Sequence, residues 1–187
     1  REALLLAKGR GLSVPVVYNT SSYEKLEALR MLEGLVDIYL PDLKYLDPDL
    51  AGNYSKALDY PERAMEAIQE MVRQVPEPEF DSRGIMKKGV IVRHLLLPGH
   101  VREGKRIVRY LHETYGNRIY ISLMNQYTPT EAVKTDSLLG RKATKREYER
   151  LLNYAMETGV EQGFFQEGDT ARESFIPPFD LEGVYSK

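Results

Sequence analysis

Polar side chains able to bind ligands or move protons recur where short apolar runs end. Asn19 and Thr20 follow Val14-Pro15-Val16-Val17-Tyr18, and Asp42 and Lys44 follow Val36-Asp37-Ile38-Tyr39-Leu40. Arg93 and His94 lie inside Val90-Ile91-Val92-Arg93-His94-Leu95, and Asn125, Gln126 and Tyr127 follow Ile119-Tyr120-Ile121-Ser122-Leu123-Met124. Gln166 and Glu167 stand in the same relation to Gly163-Phe164-Phe165. Asp42 and Lys44 are two positions apart, so in extended chain both point to one side and can face one ligand. A metal or a zwitterion suits such a pair, the carboxylate serving a cation or ammonium and the ammonium serving a ligand carboxylate. One such contact at about 4 Å is worth roughly 1 kcal/mol in water and about 4 at a protein edge. The same two residues could equally form a surface ion pair, which contributes little.

Arg93 interrupts an apolar run, where a charge costs several kcal/mol unless it meets a partner or ligand. His94 beside it reads as a hydrogen-bonded core residue, His100 as a loop residue and His112 as a helix-surface residue. The sequence shows no Ser-His-Asp set, paired-carboxylate set or His-rich metal set, which argues against hydrolase chemistry. A metal-dependent aldolase-like barrel with Lys44 as Schiff-base nucleophile is a further reading, open to borohydride trapping.

The elements that must hold these residues alternate between apolar runs and amphipathic stretches. The runs at 14–18, 36–40, 90–95, 119–124 and 163–165 predict strands. Helices are predicted over the first eight residues, through Leu26, Leu29 and Leu32 with Ser22 as cap, over Pro61 to Gln74, from about Arg102 to Tyr115, and from about Thr144 to Thr158 with Gly159 closing the last. Pro76 to Gly84 has the composition of an exposed loop. Strands alternating with helices imply a parallel α/β architecture, and no Gly-rich dinucleotide fingerprint follows any strand. A barrel is therefore preferred to an open sheet. Four or five units are fewer than a full barrel of about 250 residues holds, so the expectation is one domain, residues 1–187, forming an arc of a (β/α) barrel. The sequence opens within a helix-like stretch that lacks a cap residue, and an arc leaves bare sheet edges; both suggest that N-terminal units are missing.

Composition narrows the partners. A chain of 187 residues with 42% hydrophobic residues can bury one substantial core. Its net charge of −2 comes from interspersed charges, so no basic stripe points to nucleic acid. No apolar run approaches the roughly 20 residues of a membrane span, so the expectation is a cytoplasmic protein with no membrane partner. Cysteine is absent, which removes disulfides, thiolate catalysis and cysteine-bound metal centres from this chain.

At these strand ends the chain resembles the radical S-adenosylmethionine (radical SAM) enzymes, specifically the group similar to the pyruvate formate-lyase activating enzyme. The resemblance rests on Val16-Val17-Tyr18-Asn19-Thr20, on Asp37 to Tyr45, on Val92-Arg93-His94-Leu95-Leu96-Leu97-Pro98-Gly99, and on Leu123-Met124-Asn125-Gln126-Tyr127. It continues through Gln166-Glu167-Gly168 and Glu173-Ser174-Phe175-Ile176-Pro177-Pro178-Phe179-Asp180. It implies a partial (β/α) barrel of the radical SAM type, a 4Fe-4S cluster, and reductive cleavage of S-adenosylmethionine to a 5′-deoxyadenosyl radical that abstracts hydrogen. It also implies a reductant such as flavodoxin or ferredoxin, and a protein or small-molecule substrate. By position, Asn19, Thr20, Asp42 and Lys44 match segments around the cofactor's methionine portion or an associated cation. Arg93 matches an arginine near the cofactor, and Asn125, Gln126 and Tyr127 match a segment near the adenosine end.

The departures from that family are specific. Its CxxxCxxC loop and the glycine-glycine-glutamate segment after it do not occur here, so this chain alone is expected to be catalytically inert. Asn19 stands where the better-known activating enzymes carry an acidic residue, and Ser21-Ser22 where related sequences often have glycine. The other function class is a noncatalytic partial-barrel module for ligand binding or subunit interaction.

Overall fold

The computed structural model describes residues 1–165 of the chain. In chain order its elements are α1 (Glu2–Gly9), β1 (Val17–Thr20), α2 (Leu26–Arg30), β2 (Ile38–Pro41), α3 (Pro48–Ser55), α4 (Tyr60–Gln74), β3 (Glu79–Phe80), β4 (Met86–Leu95), α5 (Val101–Tyr115), β5 (Tyr120–Met124), α6 (Lys145–Thr158) and β6 (Gly163–Phe165). The sheet runs β1-β2-β4-β5-β6 with every neighbouring pair parallel, while β3 pairs antiparallel with β4 off this path. Parallel neighbours cannot be joined by a tight hairpin, and helices supply the crossovers here.

The two faces of the sheet differ. Tyr39, Leu43, Val90, Val92, Leu96, Ile121 and Leu123 alternate onto one face and are buried in a single core with α4 and α5. Those helices bury the matching stripes, Ala64, Ala67, Ile68 and Met71 on α4 and Gly104, Ile107, Val108 and Leu111 on α5, at the spacing of one helical face. Residues on the other face, among them Asn19, Leu40, Ile91, Arg93, Tyr120, Ser122 and Met124, keep contact with solvent. Helices outside and an open inner face are the layout of a barrel arc, and the parallel α/β expectation holds. Among the described residues β1 and β6 each pair on one side only. No helix among them is long and apolar enough to cross a membrane.

Helix α6 begins with a full capping box, in which Thr144 accepts from the Glu147 N–H and the Glu147 carboxylate accepts from the Thr144 N–H; Gly159 closes it in the left-handed conformation. Local details depart from the sequence reading elsewhere. Only Val17 and Tyr18 of the run from Val14 join β1, because the Asp37 carboxylate takes the Val16 N–H at 2.7 Å and Val14 stays exposed. The strand instead extends to Asn19 and Thr20, paired with Leu40 and Pro41. Ser22 does not cap α2, which starts after Lys25 without a side-chain cap. It is fully buried at φ +66°, and its Oγ has no partner among the described residues. Asp47-Pro48 starts the unforeseen α3, the Asp47 carboxylate accepting from the N–H groups of Asp49 and Leu50. The loop foreseen at 76–84 contains the short β3.

Candidate functional site

The strand alternation that separates core from open face also sorts the polar residues. Asn19 and Thr20 are consecutive strand residues, so they face opposite ways. Thr20 is buried; its Oγ1 donates to Glu24 Oε1 at 2.5 Å and accepts from the Ser22 N–H at 3.1 Å. Asn19 lies on the open face, where its Oδ1 accepts from Arg93 Nη2 at 2.6 Å. Beyond β2 the chain stays extended: the Asp42 N–H donates to Thr20 O, and the Leu43 N–H donates to Arg93 O, both at 2.9 Å. Asp42 and Arg93 therefore sit side by side on neighbouring strands. Arg93 points Nη2 and Nε at Asp42 Oδ1, at 2.7 and 2.9 Å, and so has the partner its apolar surroundings require.

Asp42 and Arg93 border a cavity of about 360 Å³ at the C-terminal ends of the strands. Asp42, Lys44, Arg93, Gln126 and Tyr127 line it on the polar side, and Leu95, Leu97 and Met124 give it an apolar wall. Its size lies at the lower end of the range of pockets that hold small molecules, about 300 to 1,000 Å³. Asp42 and Lys44 both face it, as their two-residue spacing requires. Lys44 Nζ makes no hydrogen bond or ion pair among the described residues, and Asp42 bonds to Arg93 through Oδ1 only. The mouth thus offers an ammonium, a carboxylate oxygen and a guanidinium within one concavity. A ligand bearing both an ammonium and a carboxylate matches that set.

Of the other sequence candidates, Asn125 does not line the cavity, whereas Gln126 and Tyr127 do, and the Tyr127 hydroxyl is anchored to Leu139 O at 2.9 Å. Burial raises the Tyr127 hydroxyl above its ordinary pKa, which keeps it a neutral donor. His94 is buried as expected, with Nδ1 2.9 Å from Leu43 O, and desolvation lowers its pKa. Gln166 and Glu167 lie outside the described residues. Tyr45 and Ser55 also line the cavity and were missed. Ser55 ends α3, a helix the sequence reading did not place, and the hydroxyl of Ser55 donates to that of Tyr45 at 3.2 Å.

A crystal structure of a domain of pyruvate-formate lyase-activating enzyme from Bacteroides vulgatus ATCC 8482 matches with a TM-score of 0.61, covering 89% of this chain and 88% of that one at 12% identity. The chain has the fold of that activating-enzyme domain. In sequence, the uncharacterized protein MJ0674 of Methanocaldococcus jannaschii is 27% identical over 144 residues, or 76% of this chain. The chain spans 38% of the length of that curated relative. No family model matches the chain.

Two groups that the activating-enzyme fold brings into question fare differently. An iron-sulfur cluster needs thiolates, and this chain has no cysteine, so it cannot ligate one. Among the described residues no group of three or more His, Asp or Glu could hold a metal ion either. A small zwitterionic cofactor fits better, because Lys44 offers an ammonium without a partner among the described residues at the cavity mouth.

Proposed function

We propose that this chain is the C-terminal portion of a radical S-adenosylmethionine enzyme similar to the pyruvate formate-lyase activating enzyme, and that its strand-end cavity receives S-adenosylmethionine. The observation that carries the reading is the Lys44 ammonium, unpartnered among the described residues, beside the Asp42–Arg93–Asn19 cluster at the strand ends of a barrel arc. Lys44 takes the cofactor's carboxylate, and the remaining oxygen of Asp42 takes its ammonium. Arg93, braced by Asn19, fixes the Asp42 carboxylate and keeps the local charge balanced. Leu95, Leu97 and Met124 exclude water along the thioether, and Gln126 and Tyr127 face the adenosine end. When bound to a reduced cluster, S-adenosylmethionine supplies a 5′-deoxyadenosyl radical for hydrogen abstraction. The cysteines for that cluster come from a segment outside this chain, as does a reductant of the flavodoxin or ferredoxin class, and the substrate is a protein or a small molecule.

Calorimetric titration of S-adenosylmethionine into the chain and into Lys44→Ala and Arg93→Ala tests the site. Each substitution is expected to weaken binding by at least about tenfold, or roughly 1.4 kcal/mol. Unchanged affinity in both variants would refute the assignment. The lack of cysteine also favours a second reading, a noncatalytic ligand-binding module. Radical formation restored by adding a CxxxCxxC-bearing segment supports the enzyme; full ligand binding with no activity after that addition supports the module.

A further inference from the structure

Lys44 sits in the middle of the segment that leaves β2 and turns into α3, and exposed segments of this kind ordinarily move. Here its backbone is held by three buried side chains from three other elements. His94 on β4 is 3% exposed, and its Nδ1 lies 2.9 Å from Leu43 O. A carbonyl can only accept, so Nδ1 carries the proton. Tyr60 at the start of α4 accepts from the Lys44 N–H at 3.1 Å, with its hydroxyl also 3.0 Å from the carbonyl oxygens of Ser21 and Asp42. Glu103 in the first turn of α5 is 6% exposed, and a single oxygen, Oε1, accepts from the N–H groups of Leu46 at 2.5 Å and Asp47 at 2.8 Å. Its other oxygen accepts from Arg106 at 2.8 Å. None of the three side chains lines the cavity.

A carboxylate in a first helical turn ordinarily serves its own helix terminus. Glu103 reaches instead to amides more than fifty residues earlier in the chain, despite the desolvation that burying it entails. We propose that Glu103 is a positioning residue for Lys44: by holding Leu46 and Asp47 while His94 and Tyr60 hold Leu43 and Lys44, it fixes the segment so that the Lys44 ammonium meets the ligand's carboxylate. The inference rests on the reading of Lys44 given above and extends it to a residue that touches no ligand. Glu103 acts through backbone geometry, so its removal changes how well a carboxylate is recognised more than whether the cavity binds.

The test compares S-adenosylmethionine with its decarboxylated analogue in the full chain, in Glu103→Leu, which retains much of the buried volume, and in Glu103→Gln, which keeps an acceptor oxygen. The wild type is expected to prefer the carboxylate-bearing compound by about tenfold. In Glu103→Leu that preference falls to within about threefold of unity while affinity for the analogue changes by less than about threefold, and Glu103→Gln restores most of the preference. A purely structural role weakens both compounds alike and leaves their ratio intact, and that result overturns the proposal. Should Glu103→Leu not fold, Glu103→Ala, which leaves room for water to serve both amides, takes its place in the same comparison. If the wild type binds neither compound, the cofactor reading fails and the clamp is judged on Lys44 alone. Its acetylation rate, read by peptide mass spectrometry against the exposed Lys145, should then change at least about threefold in the Glu103 variant; equal rates overturn the proposal.

Discussion

Removing Asp42 and Arg93 singly and together measures the interaction on the polar side of the cavity. Both donors of Arg93 fall on one oxygen of Asp42, at 2.7 and 2.9 Å, and the two side chains are 21% and 25% exposed. An exposed ion pair contributes about 0.2 to 1 kcal/mol, and a hydrogen bond to a charged group about 1.5 to 3. Partial burial places this pair between those limits, so the coupling expected from an Asp42→Ala, Arg93→Met double-mutant cycle is about 1.5 kcal/mol. The single variants should differ. Asp42→Ala leaves a guanidinium on the inner face with Asn19 Oδ1 as its one remaining acceptor among the described residues, whereas Arg93→Met leaves a carboxylate that can turn to solvent. Asp42→Ala is therefore expected to cost about 2 kcal/mol and Arg93→Met about 1 kcal/mol less than that. Urea unfolding at low and high salt supplies the values, with a constant m confirming that the unfolded state is unchanged. Effects that add to within about 0.3 kcal/mol would show that the pair contributes no more than an ordinary surface contact and would refute the role given to Arg93.

Ser22→Gly should stabilise the chain: it relieves a left-handed residue and removes a buried hydroxyl without a partner among the described residues, against the larger chain entropy of glycine. The expected gain is about 1 kcal/mol, seen as a melting temperature about 2 to 4 °C higher; a lower one contradicts the strain argument. Glu70 is gripped by the Arg73 guanidinium through both oxygens, at 2.8 and 2.9 Å, which with Gln74 holds its carboxyl at about 2. A depressed carboxyl contributes stability that is present above its unfolded value near 4.5 and lost as pH falls toward 2. The stability difference between wild type and Glu70→Gln, about 1 kcal/mol at neutral pH because Arg73 is half-exposed, should therefore shrink across that window. A difference that is flat with pH sinks the assignment.

Much of the fold was legible because periodicity reports burial directly. The strands at 90–95, 119–124 and 163–165 and the long helices α4, α5 and α6 appear close to where the apolar spacing places them. Helix α3 carried a readable signal in Asp47-Pro48, an N-cap acid before proline, but the long connection hid it. The short β3 had none, since two exposed residues paired to a neighbouring strand leave no pattern.

For the candidate site, the residue types and the two-residue step from Asp42 to Lys44 were sufficient to put both on one side, because strand alternation is a local property. So was the expectation that Arg93 must find a partner, since desolvation follows from its apolar neighbours alone. Which partner it found depended on the register of three strands, which brings residues 19, 42 and 93 together. Register also decided that Thr20 faces the core while Asn19 faces the open side and meets Arg93: β1 begins three residues later than its apolar run, because a carboxylate twenty-one positions away takes the Val16 N–H. The holders of the Lys44 segment, Tyr60 and Glu103, were invisible for the same reason. A side chain that bonds to distant backbone leaves no spacing in the sequence, and only packing helices against the sheet brings it within reach.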